Sequence, residues 1–215
     1  MESEPVRGLI AEYDRRYPEY AGFTERLAEL IPALLAENGV SVHSVNARVK
    51  SRSSFGGKVV REGKCYSSLE QITDLTGVRI ITYFEQDVAR VSEIVEREFT
   101  IDIENSTDKR KVLESDRFGY LSVHYVLSLG EARCAQAAYR RFAGLKAEVQ
   151  IRSILQHSWA EIEHDLGYKS QSSVPDALRR RFARLAGLLE LADEEFNKIR
   201  SDAAEYREDR PSDRG

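Results

Sequence analysis

Two segments in which polar and apolar residues alternate constrain the fold of this chain more than any other feature. Side chains from Tyr120 to Leu129 alternate with a period of two, and the stretch from Ala147 to Ile151 repeats this pattern around Glu148. A period of two places successive side chains on opposite faces of a β-strand. Each segment therefore predicts a strand that has one apolar face and one polar face.

Segments with helical periodicity surround these strands. Phe23, Leu27 and Leu30 predict an N-terminal amphipathic helix, which Pro32 either kinks or divides into two, and which ends near Gly39. A helix is also predicted after Ser153, and a long amphipathic helix or helix pair after Pro175. The residues predicted to form the apolar faces of these later helices are Leu155, Trp159, Ile162, Leu166, Leu178, Phe182, Leu185, Leu189, Phe196 and Ile199.

Between the terminal helices, strands and helices are mixed. The run from Val78 to Phe84 is rich in β-formers, and residues 88–99 have helical spacing. Helices at both ends and a mixed centre predict an α+β domain with a small mixed β-sheet. We expect an N-terminal helical segment at 1–39, a core at 40–170, C-terminal helices at 171–207 that pack on the core or on a partner subunit, and a polar tail at 208–215.

Composition excludes several classes of protein. With 32 Lys and Arg against 36 Asp and Glu, the net charge is -4, so bulk charge does not favour a general polyanion-binding protein. Cys65 and Cys134 lie far apart without a second Cys or His at metal spacing, which indicates neither a zinc site nor a disulfide framework. The acidic N-terminus and the lack of an apolar run of about 20 residues predict a cytoplasmic protein.

A cluster of basic and hydroxyl residues begins within a strand predicted at 45–50, where Val45, Ala47 and Val49 alternate with polar residues. Arginine offers a planar fork to phosphate oxygens, lysine offers a point charge, and serine hydroxyls donate to the same oxygens. The pattern fits either a phosphate grip or a solvated basic edge, and it is not a P-loop. The residues of this cluster are Arg48, Lys50, Ser51, Ser54, Lys58 and Arg61.

Two carboxylates occur where a metal ion would suit them. Asp74 precedes the strand at 78–84, and Glu148 lies within an otherwise apolar strand, on the same face as Gln150 and Arg152. A buried carboxylate is costly unless it is paired or bound to metal, and Mg²⁺ typically uses one or two protein carboxylates together with phosphate oxygens. The alternatives are a turn or cap role for Asp74 and an ion pair of Glu148 with Arg152 or Arg79.

The strand that begins at Tyr120 offers groups for a nucleotide. Tyr120 supplies an aromatic surface on which a base can stack, and His124 lies on the same face. Taken alone, an aromatic on such a strand is more often a core residue, and a single histidine is usually a satisfied polar contact. The basic cluster Lys109-Arg110-Lys111 precedes this strand and would add positive potential, although such clusters are usually solvated.

Four stretches occur in an order that is specific to one family. Together they resemble the synthetase domain of the RelA/SpoT alarmone synthetases. This resemblance implies a nucleotidyltransferase-like fold and a small, synthetase-only GTP pyrophosphokinase, which moves the β,γ-pyrophosphate of ATP to the 3'-hydroxyl of GTP or GDP and so makes pppGpp or ppGpp. The stretches are Arg48-Val49-Lys50-Ser51, Asp74-Leu75-Thr76-Gly77-Val78-Arg79, Gly119-Tyr120-Leu121-Ser122-Val123-His124-Tyr125 and Glu148-Val149-Gln150-Ile151-Arg152.

The resemblance also implies residue roles. The basic and hydroxyl cluster, together with Arg79, would bind ATP. Asp74 and Glu148 would be the catalytic carboxylates: Asp74 would hold Mg²⁺, and Glu148 would hold the metal or help to deprotonate the acceptor 3'-hydroxyl. Tyr120 would stack on guanine, and the other residues expected around the acceptor nucleotide are His124, Gln150, Arg152, Lys111, Arg117 and His157.

This chain departs from the family pattern near the acceptor. Many guanosine-specific small synthetases carry a lysine four residues before the stacking tyrosine, where this chain has Asp116, so Arg117 or Lys111 would have to substitute. Two alternatives therefore stay open: a toxin-like pyrophosphokinase that acts on the 3' end of tRNA or on adenosine nucleotides, and a catalytically inactive module that senses nucleotides. The family resemblance further implies a homo-oligomer.

Overall fold

A six-stranded mixed β-sheet forms the centre of the structure, a computed structural model that describes residues 4–61, 65–108, 122–168 and 175–208. The main path runs β1-β2-β6-β5-β3, and β4 pairs with β5 outside this path. β2 and β6 are parallel, whereas the other pairs are antiparallel. The strands are β1 (Ser44–Val49), β2 (Thr76–Thr82), β3 (Phe99–Ile101), β4 (Thr107–Asp108), β5 (Val123–Leu129) and β6 (Ala147–Ser153).

Helices precede, interrupt and follow the sheet, as an α+β chain requires. Short 3₁₀ turns at Leu69–Gln71 and Arg140–Phe142 lead towards β2 and β6. The helices of the described part are α1 (Glu4–Glu37), α2 (Arg52–Val59), α3 (Glu85–Glu98), α4 (Glu131–Cys134), α5 (Ile154–Tyr168) and α6 (Asp176–Glu208). None of these helices is long and apolar enough to cross a membrane.

The first helix is longer and more continuous than the sequence predicted. α1 runs for 34 residues through both Pro18 and Pro32, so Pro32 does not open a second helix. An internal proline costs a helix about 3 kcal/mol. Burial of large aliphatic side chains on either side of Pro32 offsets this cost, at about 1.5–3 kcal/mol each. These side chains are Leu30, Ile31, Leu34 and Leu35.

The two faces of the sheet differ in polarity. Val78 and Ile80 of β2 and Val149 and Ile151 of β6 are buried on one face, where α1 and α3 pack. Arg79 of β2 and Glu148, Gln150 and Arg152 of β6 point to the opposite face and are only partly buried. The alternation predicted for β6 is thus confirmed, and it leaves a polar face for chemistry.

The last two helices correct part of the predicted apolar faces. α6 is a single helix, and the buried residues that share one of its faces are Ala186, Asp193 and Asn197. Buried hydrogen bonding thus helps to set its orientation, because Ser153 Oγ donates to Asp193 Oδ2 over 2.7 Å. Several residues predicted for the apolar faces are instead exposed at 42–61%, namely Ile162, Leu166, Leu178, Leu185, Phe196 and Ile199.

Candidate active site

The polar face of the sheet forms a cleft of about 150 Å³. Strand register explains its composition, because Arg79 pairs with Asn46 on one side and with Gln150 on the other. Two residues earlier in β2, Gly77 pairs with Arg48 of β1 and with Glu148 of β6. The cleft is lined by Asn46, Ala47, Arg48, Lys50, Asp74, Gly77, Val78, Arg79, Glu148 and Gln150.

Asp74 is the charged centre at one end of this cleft. Lys50 Nζ lies 2.8 Å from Asp74 Oδ2, and Lys58 Nζ lies 2.7 Å from Asp74 Oδ1. Burial opposes ionisation of Asp74, but the hydrogen bonds from both lysines outweigh it and hold the pKa of this carboxyl below its usual value. Asp74 is therefore an anion near neutral pH, held between two cations.

An aromatic pair from α1 and α2 positions Lys50, and this pair was not predicted from the sequence. The rings of Tyr13 and Phe55 stack with centroids 4.3 Å apart, and the Tyr13 hydroxyl donates to the Lys50 carbonyl. Lys50 also donates its backbone N–H to the Leu75 carbonyl over 2.8 Å. Burial raises the pKa of Tyr13 to about 12, so the hydroxyl stays a donor. The N-terminal helix thus fixes the chain where β1 passes into α2.

The other residues of the predicted phosphate grip lie along α2. Ser51 caps this helix, since its Oγ accepts from Ser54 N at 3.2 Å, and Ser51 Oγ donates to Ser54 Oγ at 2.8 Å. These hydroxyls surround the N-terminus of α2, where backbone N–H groups favour an anion. Lys58 forms an ion pair with Asp74, which lines the cleft, whereas Arg61 lies exposed beyond the end of α2.

Glu148 begins a second polar group that crosses from β6 to β5. Gln150 Nε2 donates to Glu148 Oε1 over 2.6 Å, and His124 Nδ1 lies 3.9 Å from the same oxygen. His124 Nε2 lies 2.7 Å from Ser122 Oγ and 3.4 Å from Arg152 Nη2. The structure therefore joins Glu148, His124, Gln150 and Arg152.

α5 brings two further groups to the cleft. Arg79 Nη1 lies 3.0 Å from Glu161 Oε1, and His157 Nδ1 lies 3.8 Å from the same oxygen. Burial lowers the pKa of His157, and the nearby charge of Arg79 lowers it further. His157 was predicted to lie near the acceptor nucleotide. Glu161 was not assigned a role, because sequence spacing does not show which position of a helix faces β2.

Three predicted acceptor residues, Tyr120, Lys111 and Arg117, lie outside the described residues. The oxygen ligands available for a metal are Asp74 and Glu148, which line the same cleft. No cluster of three or more His, Cys, Asp or Glu that could hold a metal occurs among the residues that the structure describes. A two-carboxylate set suits Mg²⁺, which fills its remaining positions with water and phosphate oxygens.

The mixed sheet flanked by helices is a nucleotidyltransferase-like fold. The model of the "Region found in RelA / SpoT proteins" matches residues 47–173. This range is more than half of the chain, and the chain therefore belongs to the RelA/SpoT family.

Known relatives are similar to this chain over most of their length. GTP pyrophosphokinase YjbM of Bacillus subtilis (strain 168) is 28% identical over 167 residues, which are 76% of this chain and 74% of that protein. Small alarmone synthetase 1 from Bacillus subtilis, bound to its product pppGpp, has a TM-score of 0.71 and 26% identity, and the match covers 90% of this chain and 99% of that one. The same enzyme bound to AMPCPP has a TM-score of 0.63 and 25% identity, over 90% and 98% of the two chains.

Proposed function

We propose that this chain is a GTP pyrophosphokinase that transfers the β,γ-pyrophosphate of ATP to the 3'-hydroxyl of GTP or GDP. The observation that carries the proposal is the cleft itself, in which Arg48, Lys50 and Arg79 lie close to Asp74 and Glu148. Phosphoryl transfer needs charge neutralisation and positioning more than covalent chemistry, and this combination supplies both. The activity named for YjbM and the nucleotides bound to small alarmone synthetase 1 support the same substrates.

The donor side of the cleft comprises the residues that we assign to ATP. Arg48 and Arg79 offer planar guanidinium groups, and Lys50 offers a point charge beside Asp74. Ser51 and Ser54 add hydroxyl donors at the start of α2. The assigned residues are Arg48, Lys50, Ser51, Ser54, Lys58, Arg61 and Arg79.

Asp74 and Glu148 are the residues that would hold Mg²⁺ in this cleft. Both oxygens of Asp74 accept lysine hydrogen bonds, yet each carboxylate oxygen has more than one acceptor position. The bound ion would neutralise negative charge on the transferred phosphates. The lysines that now contact Asp74 would then be available to phosphate oxygens, which match their charge.

The acceptor side comprises His124, Gln150, Arg152 and His157 among the described residues, and Tyr120, Lys111 and Arg117 complete the assignment. The 3'-hydroxyl oxygen attacks the β-phosphorus of ATP, the bond from that phosphorus to the α,β-bridging oxygen breaks, and AMP leaves. When Asp74 alone holds the ion, the proton of the hydroxyl passes to the carboxylate of Glu148. Gln150 donates to Glu148 and so fixes the orientation of this carboxylate.

The test is to incubate the chain with ATP labelled on the γ-phosphate, with Mg²⁺ and one acceptor at a time. We expect GTP and GDP to gain the label. Transfer to ATP or to deacylated tRNA instead would support the toxin-like alternative, which the net charge of -4 does not favour for tRNA. Transfer to none would leave only the inactive nucleotide-sensing module.

We further propose that two copies of the chain pair through α6. Leu185, Leu188 and Leu191 are exposed at 52–61% near its middle, and such apolar patches mark interfaces. Its first half carries Arg181 and its second half carries Glu195, so a two-fold antiparallel pairing would bring opposite charges together. Light scattering after size exclusion should show a dimer or larger oligomer, and Leu188→Glu should shift the mass towards one chain.

A further inference from the structure

Glu161 of α5 lies between two groups that the proposed function assigns to different substrates. Its Oε1 is 3.0 Å from Nη1 of Arg79, on the donor side. The same oxygen is 3.8 Å from Nδ1 of His157, on the acceptor side. One carboxylate oxygen of α5 thus lies within ion-pair distance of both sides of the cleft.

The charges around Glu161 show why a carboxylate suits this position. Besides burial, the charge of Arg79 lowers the pKa of both Arg152 and His157, while the charge of Glu161 acts in the opposite direction on both. Three basic groups therefore gather here, and their mutual repulsion is partly offset by Glu161. Without this carboxylate, Arg79 would be free to turn away from Arg152 and into solvent.

The geometry of a guanidinium allows Arg79 to contact Glu161 and a nucleotide together. Glu161 occupies only the Nη1 edge, which leaves the planar faces and the other N–H groups of Arg79 for a ligand. A free arginine side chain loses rotamer entropy when it binds, and fixing it beforehand reduces that loss. The pair is partly exposed, with side-chain exposures of 31% for Arg79 and 54% for Glu161, so its effect should be modest.

We propose that Glu161 is a positioning residue: it fixes the Arg79 guanidinium on the donor side of the cleft and adjacent to the acceptor side. This inference rests on the proposed function for the assignment of Arg79 to ATP. It adds a residue of α5 to a site otherwise built on β1, β2, β5, β6 and α2. Through Glu161, α5, which begins directly after β6, would affect the binding of the donor nucleotide.

The test is to measure the affinity for AMPCPP by calorimetry, together with KM and kcat for ATP. Glu161→Ala should weaken AMPCPP binding and raise KM for ATP by about three- to tenfold, with kcat within about twofold, since partly exposed pairs have small energies. Glu161→Gln keeps an acceptor oxygen but removes the charge, so it should restore only part of the affinity. The matched control is Glu93→Ala, which removes an exposed helical glutamate from α3, outside the cleft lining.

The double variant Arg79→Ala/Glu161→Ala separates positioning from general stabilisation. If Glu161 acts through Arg79, adding Glu161→Ala to Arg79→Ala should change AMPCPP affinity by less than about twofold. Unchanged or tighter AMPCPP binding by Glu161→Ala would overturn the inference, and so would an equal loss in the Arg79→Ala background. Label transfer by the wild type is scored separately: if it fails while Glu161→Ala still weakens AMPCPP binding, the proposed function is wrong and the positioning role stands.

Discussion

The donor and acceptor sides of the cleft differ in how far their polar groups satisfy each other. On the donor side, Asp74 pairs with Lys50 and Lys58, and Arg79 pairs with Glu161. On the acceptor side, Nε of Arg152 and Nδ1 of His157 are buried without a hydrogen-bond partner among the described residues. Because buried polar groups are nearly always paired, we expect the acceptor nucleotide to supply partners there.

This difference indicates how the two sides work. The donor side is organised by ion pairs before any ligand binds, so ATP should meet a rigid set of charges. Polar groups on the acceptor side can still form hydrogen bonds, so we expect this side to become more ordered when the acceptor nucleotide binds. The following changes separate the two sides, from the largest expected effect to the smallest.

Loss of the donor carboxylate should have the largest effect. Asp74→Asn keeps the shape but removes the charge that holds both lysines and would hold Mg²⁺, so we expect label transfer to fall by about 10²–10³-fold. The matched control is Asp102→Asn, which alters a carboxylate paired with Lys146 at 2.6 Å, outside the cleft lining. Transfer by Asp74→Asn near the level of this control would contradict the role of Asp74.

Filling the floor of the cleft should come next. Gly77 lies between Arg48 and Glu148, and an added Cβ would meet Arg48 Cγ at 3.8 Å, an ordinary contact distance. Gly77→Val should therefore fold, since valine suits a strand, but its methyl groups would displace reacting groups and reduce kcat/KM by about tenfold to 100-fold. Circular dichroism checks the fold, and Gly77→Ala should show a much smaller loss.

Arginine substitutions should distinguish the two sides by their KM values. Arg152→Gln should raise KM for GDP by about tenfold, as expected for the loss of a charged hydrogen bond, while KM for ATP changes little. Arg48→Gln should show the reverse pattern. Steady-state kinetics with each substrate varied in turn provides the measurement, and equal changes in both KM values would remove the distinction between the sides.

The smallest effect concerns stability against pH. Burial and the charge of Arg79 lower the pKa of His157, so the unfolded chain binds this proton more readily than the folded chain. Stability therefore rises with pH through the region below the ordinary histidine pKa of about 6.5. Urea unfolding of His157→Gln between pH 5 and 7 should show a smaller rise than the wild type, and an unchanged slope would contradict this assignment.

The sequence predicted the parts of the fold that depend on local periodicity. The structure confirms the strand β6 that was predicted around Glu148, and it confirms helices before and after the sheet, although the predicted apolar face of α6 is largely exposed. Pro32 does not open a second helix, because burial of the neighbouring side chains outweighs the local cost of the proline. The exposure of Ile162 and Phe196 could not be foreseen, since periodicity identifies an apolar face but not what covers it.

The candidate site was predictable where chemistry follows strand register. Arg48, Arg79 and Gln150 were expected at one nucleotide-binding site, and they line one cleft. Tyr13 and Glu161 escaped prediction, because their contacts join helices to strands over long sequence separations. Only packing determines which turn of α1 meets Lys50 and which turn of α5 meets Arg79.

The most direct test of the proposed transfer is the stoichiometry of products from ATP and GDP, measured by ³¹P NMR and nucleotide chromatography. Transfer of the β,γ-pyrophosphate predicts one AMP and one GDP derivative with a 3'-pyrophosphate for each ATP consumed, and formation of both products at least about 100-fold more slowly with Asp74→Asn. Formation of ADP and inorganic phosphate, or consumption of ATP without a modified GDP, would contradict the account.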